Sequence, residues 1–335
     1  LTQKGIFIFD SEAEAVQAAI LMHDIGHGPF SHVLENTLIH GISHEEISLM
    51  MMEKMNREMK GMLTLAINIF KDRYPKRFLH QLISSQLDMD RLDYLRRDSF
   101  YTGVTEGNIG SARIIKMLNV VDDNLVVDSK GIYSIENYLT SRRLMYWQVY
   151  LHKTTVAYEK LLINLLKRAK HLANEGHNLF APPALHYFLY NHIDRETFLS
   201  REEALTNYEL LDDNDIWSSV KVWMSHEDKI LSLLSRSLIE RKIFKVEVRN
   251  EPIPKEEMTA LLGNIANATG LTPEDASYLM SVDTIQKDMY DINDDHISIL
   301  YKDGTIKDIT EASEILNISL ISKKICKYYL CYQRI

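Results

Sequence analysis

Cysteine is nearly absent: 335 residues carry two, Cys326 and Cys331, both near the C-terminal end. That excludes a disulfide scaffold and a zinc module built on thiolates alone, and makes the reducing cytosol the expected compartment, a cytoplasmic localisation. Long apolar runs are missing too. None reaches about 18 residues, so no membrane-spanning helix is expected. The first 25 residues show neither a basic leader nor a cleavage pattern, so no signal peptide is read. There is no low-complexity tract. Positive charge is in deficit: 38 Lys and Arg stand against 47 Asp and Glu, a net charge of −9. Such a chain is a poor non-specific binder of duplex DNA, although a local basic pocket for a small anion stays open.

What is present is ordinary globular material, 45% apolar and 25% charged. The length suits one large domain with a lobe, or two domains. Ser11-x-x-Glu14 has the form of a capping box and predicts a helix to about Ile25. Gly26, Gly28 and Pro29 break it, and Pro29 can open a second helix, PFSHVLENTLI. Ser43-His44-Glu45-Glu46 is another capping box. Helices are read at about 61–71 and 77–97, a glycine-marked loop over 99–111, and a helix over 111–119. LVVDSKGIYS reads as a short hairpin or extended piece. The pattern is helical from 134 to about 176, after Pro182-Pro183, and through 201–241. From about 243 it changes: FKVEV alternates, and HISILYKDGTIKDI is a hairpin signal with Asp303-Gly304 as a type I′ turn. The expected fold is therefore mainly α, a helical core with a smaller mixed α+β C-terminal lobe. Residues 1–176 form the core, 177–242 a helical extension and 243–335 the lobe.

Histidine is clustered. Five of the 13 fall between positions 23 and 44: His23, His27, His32, His40 and His44. His23 and Asp24 are adjacent at a helix end. Imidazole nitrogen and carboxylate oxygen together suit Zn, Fe or Mn. His27 lies one turn after His23, and His32 and Glu35 share a helical face. A carboxylate beside an imidazole orients it and raises its pKa, as a general acid requires. His44 sits at a capped helix start, where an anion is favoured. His40 has no carboxylate at useful spacing and reads as surface.

Two further segments carry chemistry. In LDMDRLDYLRRD, Asp90, Tyr94 and Arg97 follow helical spacing, so Asp90 can complete a metal site. Arg91 and Arg97 are candidates for phosphate contacts or ion pairs, and Asp98 for a sugar hydroxyl. The same charge run also fits a salt-bridged, solvated helix face. In RRLMYWQVYLHK, Arg142, Tyr146 and Tyr150 repeat every four residues, offering a cation for phosphate and rings for stacking. An amphipathic core helix would show the same spacing.

With HDIGHGPFSH followed by SHEE, DMDRLDYLRRD and RRLMYWQVYLHK in that order, the chain resembles the HD-domain phosphohydrolase superfamily. It is most similar to the deoxynucleoside triphosphate triphosphohydrolase branch, over roughly residues 15–160. The resemblance implies a divalent metal ion (Fe, Mn, Zn or Mg) held by His23, Asp24 and Asp90. It implies that His32, supported by Glu35, protonates the leaving 5′ oxygen, and that His27 and His44 serve the phosphates or the nucleophile. Arg91 and Arg142 match phosphate contacts. Tyr94 and Asp98 match residues that meet the sugar and its 3′-hydroxyl, and Tyr150 one that crowds the 2′ position. One departure is plain: the family's first metal histidine lies upstream, and residues 1–22 contain none. The expectation is that Leu1 lies after the helix that bears it; otherwise the site has three ligands or is inactive.

The implied reaction is metal-assisted hydrolysis of a dNTP to a deoxynucleoside and tripolyphosphate. Two other readings stand beside it: an HD phosphohydrolase of another nucleotide phosphoester, or a non-catalytic nucleotide- or RNA-binding sensor. The net charge counts against extended nucleic-acid contact. The resemblance also implies a homo-oligomer, a dimer or tetramer. Met50-Met51-Met52 and the Tyr-rich KYYLCYQRI could supply apolar contact surface or equally be core, and the Met run reads more readily as core.

Overall fold

The computed structural model describes residues 1–35, 37–287, 290, 295–313 and 325–334, apart from the side chains of His32 and Lys287. The fold is mainly α, with three small sheets among the described residues. Most strands lie after residue 243, as expected for a mixed C-terminal lobe. Among the described residues no helix is long and apolar enough to cross a membrane. The chain divides into two compact units, each discontinuous in sequence. Local pattern divides the chain into consecutive blocks, whereas folding gathers distant segments into each unit.

The first unit comprises residues 1–24, 49–152 and 286–325. Its core joins Ala15 and Ala19 of the helix Asp10–Met22 to Leu92 and Leu95 of Met89–Thr102 and to Ile135, Tyr138 and Leu139 of Ile132–Met145. These apolar positions recur at three- and four-residue steps, so each helix turns one stripe inward. A sheet closes one side in the order Leu118–Val121, Asn124–Asp128, Ser298–Leu300, Ile306–Asp308. Its middle pair is parallel, with Val127 opposite Ile299.

The second unit comprises residues 25–48, 153–285 and 326–335. Its spine is the helix Lys153–Asn174, which buries Leu161, Leu165, Leu166 and Leu172. Lys229–Ile239 and Pro183–Tyr190 pack on it. Arg168 is only 8% exposed on this spine. Its guanidinium grips both oxygens of Asp228, at 2.6 and 3.2 Å, and reaches Asp275 at 3.1 Å. Asp228 also caps Lys229–Ile239 by accepting from the Leu231 amide. Burial would raise its pKa, but Arg168 and that amide hold the carboxylate below its usual range.

Several boundaries differ from the sequence pattern, each for a local reason. The first helix is capped by Glu12 rather than by Ser11 and Glu14: the Phe9 amide donates to Glu12 at 2.9 Å. Glu12 is 1% exposed and tied to Tyr74 and Lys76, so tertiary partners select it. The helix expected from Pro29 shrinks to His32–Glu35, because Phe30 and Ser31 take φ of +54° and +50°. The helix expected over 77–97 is two, Arg77–Gln81 and Met89–Thr102, and the second runs past 99 to stop at Gly103 with φ +72°. The helix expected over 134–176 is interrupted by a π-turn at Tyr146–Tyr150. LVVD pairs back with Leu118–Val121 through Asp122-Asp123, both at positive φ, and there the I′ geometry is found. At Asp303-Gly304 only the glycine has positive φ, which corrects the expected I′ turn to one closed by a left-handed glycine.

Removing Arg168 strands two carboxylates in a half-buried setting. Arg168→Ala is expected to lower stability by about 2–4 kcal/mol, discounted from a fully buried pair because Asp275 is partly solvated. Urea denaturation reads this directly, and an unchanged midpoint would refute it.

Candidate functional site

In the first unit, His23 ends the helix Asp10–Met22. Its Nδ1 lies 2.6 Å from the Ile20 carbonyl. Donation there leaves the Nε2 lone pair for a cation, the usual way a backbone carbonyl orients a ligating imidazole. Nε2 is 3.4 Å from Asp24 and 3.7 Å from Asp90. One ligand atom from each of the three lies within 4.8 Å of the others. Asp90 stands in the first turn of Met89–Thr102, whose N-cap is Asp88. Without a cation, the hydrogen bond that Asp90 accepts raises the His23 pKa to about 9 against the pull of burial, with help from the Ile20 carbonyl and Asp24. A proton thus takes the place where two carboxylates call for positive charge. One imidazole and two carboxylates at this spacing fit a divalent metal ion, with coordination positions left over.

The same helix presents Arg91, Tyr94 and Asp98, all half-buried, while Arg97 turns outward to an exposed ion pair with Asp93 at 2.6 Å. Arg91 Nε is 3.2 Å from the buried Asp88, and its Nη1 is buried with no hydrogen-bond partner among the described residues. Arg142 repeats this: its Nε and Nη1 are buried and unpartnered among the described residues. The Arg142 guanidinium lies 5.9 Å from the Tyr146 ring centre. The π-turn then carries Tyr150, whose hydroxyl donates to Asp98 at 2.6 Å. Burial, then the bond to Asp98, raises the Tyr150 pKa, so it is a donor at neutral pH. Tyr94 stands edge-to-face against Tyr150 at 6.2 Å, and burial raises its pKa also.

In the second unit, the rings of His27 and His44 stack with centres 3.8 Å apart. His44 begins the helix His44–Glu58. Its Nδ1 is 3.1 Å from Glu35 and its Nε2 3.3 Å from Glu45. The Glu35 carboxylate is therefore engaged with His44. The side chain of His32 lies outside the described residues. His40 is exposed, as read. Gly26 locks the loop: its amide donates to Ser48 Oγ at 2.8 Å, and its carbonyl accepts from Tyr208 at 2.7 Å.

The sequence reading passed over Asp88, Glu45, Ser48, Tyr208 and the π-turn. Asp88 was findable as an N-cap two residues before Asp90, and Glu45 follows His44 directly. Tyr208 lies 182 residues from Gly26, with no local signal.

Two outcomes follow. A Cβ on Gly26 would sit 2.1 Å from the His44 carbonyl and 2.3 Å from the Ser48 amide. Gly26→Ala should cost roughly 1–3 kcal/mol or more, read by chemical denaturation. An unchanged midpoint would mean that the loop does not hold this close approach. In chelator-treated protein, His23 has a folded pKa of about 9 against an ordinary 6.5. Its proton therefore stabilises fully below pH 6.5, and that contribution disappears as pH rises through about 9. Thermal melts across this range should show the decline, and Asp90→Asn should flatten it.

Comparison with known proteins bears on the same segments. Residues 5–98 match the HD domain and residues 109–178 the HD associated region. The chain is 32% identical to the uncharacterized protein YwfO of Bacillus subtilis, over 97% of this chain and 75% of that one. It is 27% identical to a deoxynucleoside triphosphate triphosphohydrolase SAMHD1 homolog of Dictyostelium discoideum, over 50% of this chain and 36% of that protein. A crystal structure of a phosphohydrolase from Bacteroides thetaiotaomicron superposes with a TM-score of 0.96 at 68% identity, covering 100% of this chain and 83% of that one. The chain belongs to the HD-domain phosphohydrolase superfamily.

Proposed function

We propose that this protein is a divalent-metal-dependent hydrolase that cleaves a deoxynucleoside triphosphate at the α-phosphorus, releasing deoxynucleoside and tripolyphosphate. The observation that carries the reading is the pairing of a metal-ligand set with unsatisfied guanidinium donors on neighbouring turns of one core. Arg91 and Arg142 keep buried N–H groups without partners among the described residues. A buried charged donor left unpaired is costly, and an anionic ligand relieves that cost. Relatives named deoxynucleoside triphosphate triphosphohydrolases support the choice of substrate.

His23, Asp24 and Asp90 hold the metal, which when bound supplies Lewis-acid polarisation of a phosphoryl oxygen. Arg142 and the free edge of Arg91 offset charge gathering on the phosphate oxygens. Tyr150 holds one oxygen of Asp98, leaving the other for the 3′-hydroxyl of a sugar. The Tyr150 ring beside that carboxylate disfavours a 2′-hydroxyl. His44, oriented by Glu35 and Glu45, and His27, stacked on it, bind phosphate oxygens. His32 donates the proton that the departing 5′ oxygen needs. A homo-oligomer is part of the same reading.

The test uses purified protein with Mg²⁺ or Mn²⁺ and each dNTP and NTP, with phosphate products separated by ion exchange. Tripolyphosphate from dNTPs alone is expected. Orthophosphate, pyrophosphate or no product would move the assignment to another phosphoester or to nucleotide binding without turnover. His32→Ala should cut kcat about 10²–10⁴-fold with little change in substrate binding. Arg142→Ala should lower kcat/KM by roughly 10–100-fold, as for loss of a charged hydrogen bond.

A further inference from the structure

The second unit contains a cavity of about 770 Å³ that the reaction does not use. Its size falls within the range of small-molecule sites. Phe30 and Trp217 meet edge to face at 5.6 Å in its lining, which Leu162 and Tyr158 share. Lys221 and Arg241 stand at its rim, and neither side chain makes an ion pair or hydrogen bond with a described residue. Nor do the Tyr158 hydroxyl and the Trp217 indole N–H. The lining is thus apolar in body and, in these four polar groups, supplied with free donors. The opposing charge, Glu159, lies 3.6 Å from Lys160 and is partly answered there.

The backbone around the cavity is also unusual. Phe30, Ser31 and Arg241 are three of the seven non-glycine residues at positive φ among the described residues, and all three line it. Arg241 occupies the left-handed position after the helix Lys229–Ile239, with the Lys242 amide bonded back to Ser237, a place where glycine is the relaxed choice. An arginine there presents its cation to the rim at a conformational cost.

We propose that this cavity is a binding site for a small aromatic anion, a planar apolar body carrying one acidic group. The ring lies against Phe30, Tyr158 and Trp217, where edge-to-face packing is available. The acidic group meets Lys221 and Arg241, which suit one anion approached from the rim. Glu159 attracts a cationic ligand less than those two repel it, so the site is net positive and selects an anion.

The probe is 8-anilino-1-naphthalenesulfonate, titrated into the full chain by calorimetry and fluorescence, beside the uncharged N-phenyl-1-naphthylamine. One saturable sulfonate site is expected. Replacing both exposed cations, Lys221→Ala with Arg241→Ala, should weaken the sulfonate at least about fivefold, as for two exposed ion pairs, and leave the uncharged probe unchanged. Both residues are on the surface, so folding is not at stake, and circular dichroism checks it. Absence of saturable binding, equal binding by the double variant, or equal weakening of both probes would each overturn the proposal. None of these outcomes depends on the reaction assigned above.

Discussion

The buried carboxylate of Asp88 fixes the reactive face of the first unit. It is 4% exposed and accepts from the amides of Ser85 and Arg91 while pairing with Arg91 Nε. Burial raises its pKa despite those partners, so its charge is held at some cost. The return is register. Asp88 sets the first turn of Met89–Thr102, and from that turn follow the directions of Asp90, Arg91, Tyr94 and Asp98. A helix starting one residue later would rotate each of them by about 100°. The carboxylate proposed for the metal, the arginine proposed for phosphate and the acid proposed for the sugar therefore share one point of origin.

The π-turn at Tyr146–Tyr150 solves a second problem of register. Arg142 and Tyr146 keep the four-residue spacing of an α-helix, and the guanidinium lies against that ring. Continued α geometry would carry the next tyrosine onward in the same phase. The five-residue step instead closes with the Leu151 amide bonded to the Tyr146 carbonyl at 2.7 Å, and brings the Tyr150 hydroxyl to Asp98. Such insertions are rare and gather where a side chain must be re-aimed. Here the re-aimed group sits on the carboxylate proposed to read the sugar.

The parts of this arrangement that were legible in the sequence are those encoded locally. The His23–Asp24 pair announces itself by adjacency, and Asp90 by its place in a short acidic helix motif. The mainly helical class and the strands after 243 follow from periodicity that tertiary packing does not override. What escaped detection depends on distant partners or on backbone that apolar pattern does not encode. Phe30 and Ser31 adopt a conformation that neither residue favours, and so a helix predicted from Pro29 is cut to one turn. Glu12 displaces Glu14 as the capping acid because Tyr74 and Lys76, more than 60 residues on, hold it. The Tyr208 hydroxyl on the Gly26 carbonyl has no trace in the motif it completes.

Charge balance assigns unequal weight to the cationic residues. In the proposed site Asp24 and Asp90 together would neutralise a divalent ion, so the metal would supply polarisation of a phosphate without much net attraction for it. The chain as a whole carries −9 and repels a polyanion at long range. Attraction must therefore come from nearby cations. Arg91 has committed one edge to Asp88, a carboxylate that must stay buried to keep the helix in register. Arg142 has no carboxylate partner among the described residues; its neighbours are the phenols of Tyr138, Tyr146 and Tyr94, which ask for no compensating charge at neutral pH. Its full charge and two buried donors are available to an incoming anion. In this balance the role proposed for Arg91 is to position and that for Arg142 to attract, although the sequence presents them as equivalent arginines.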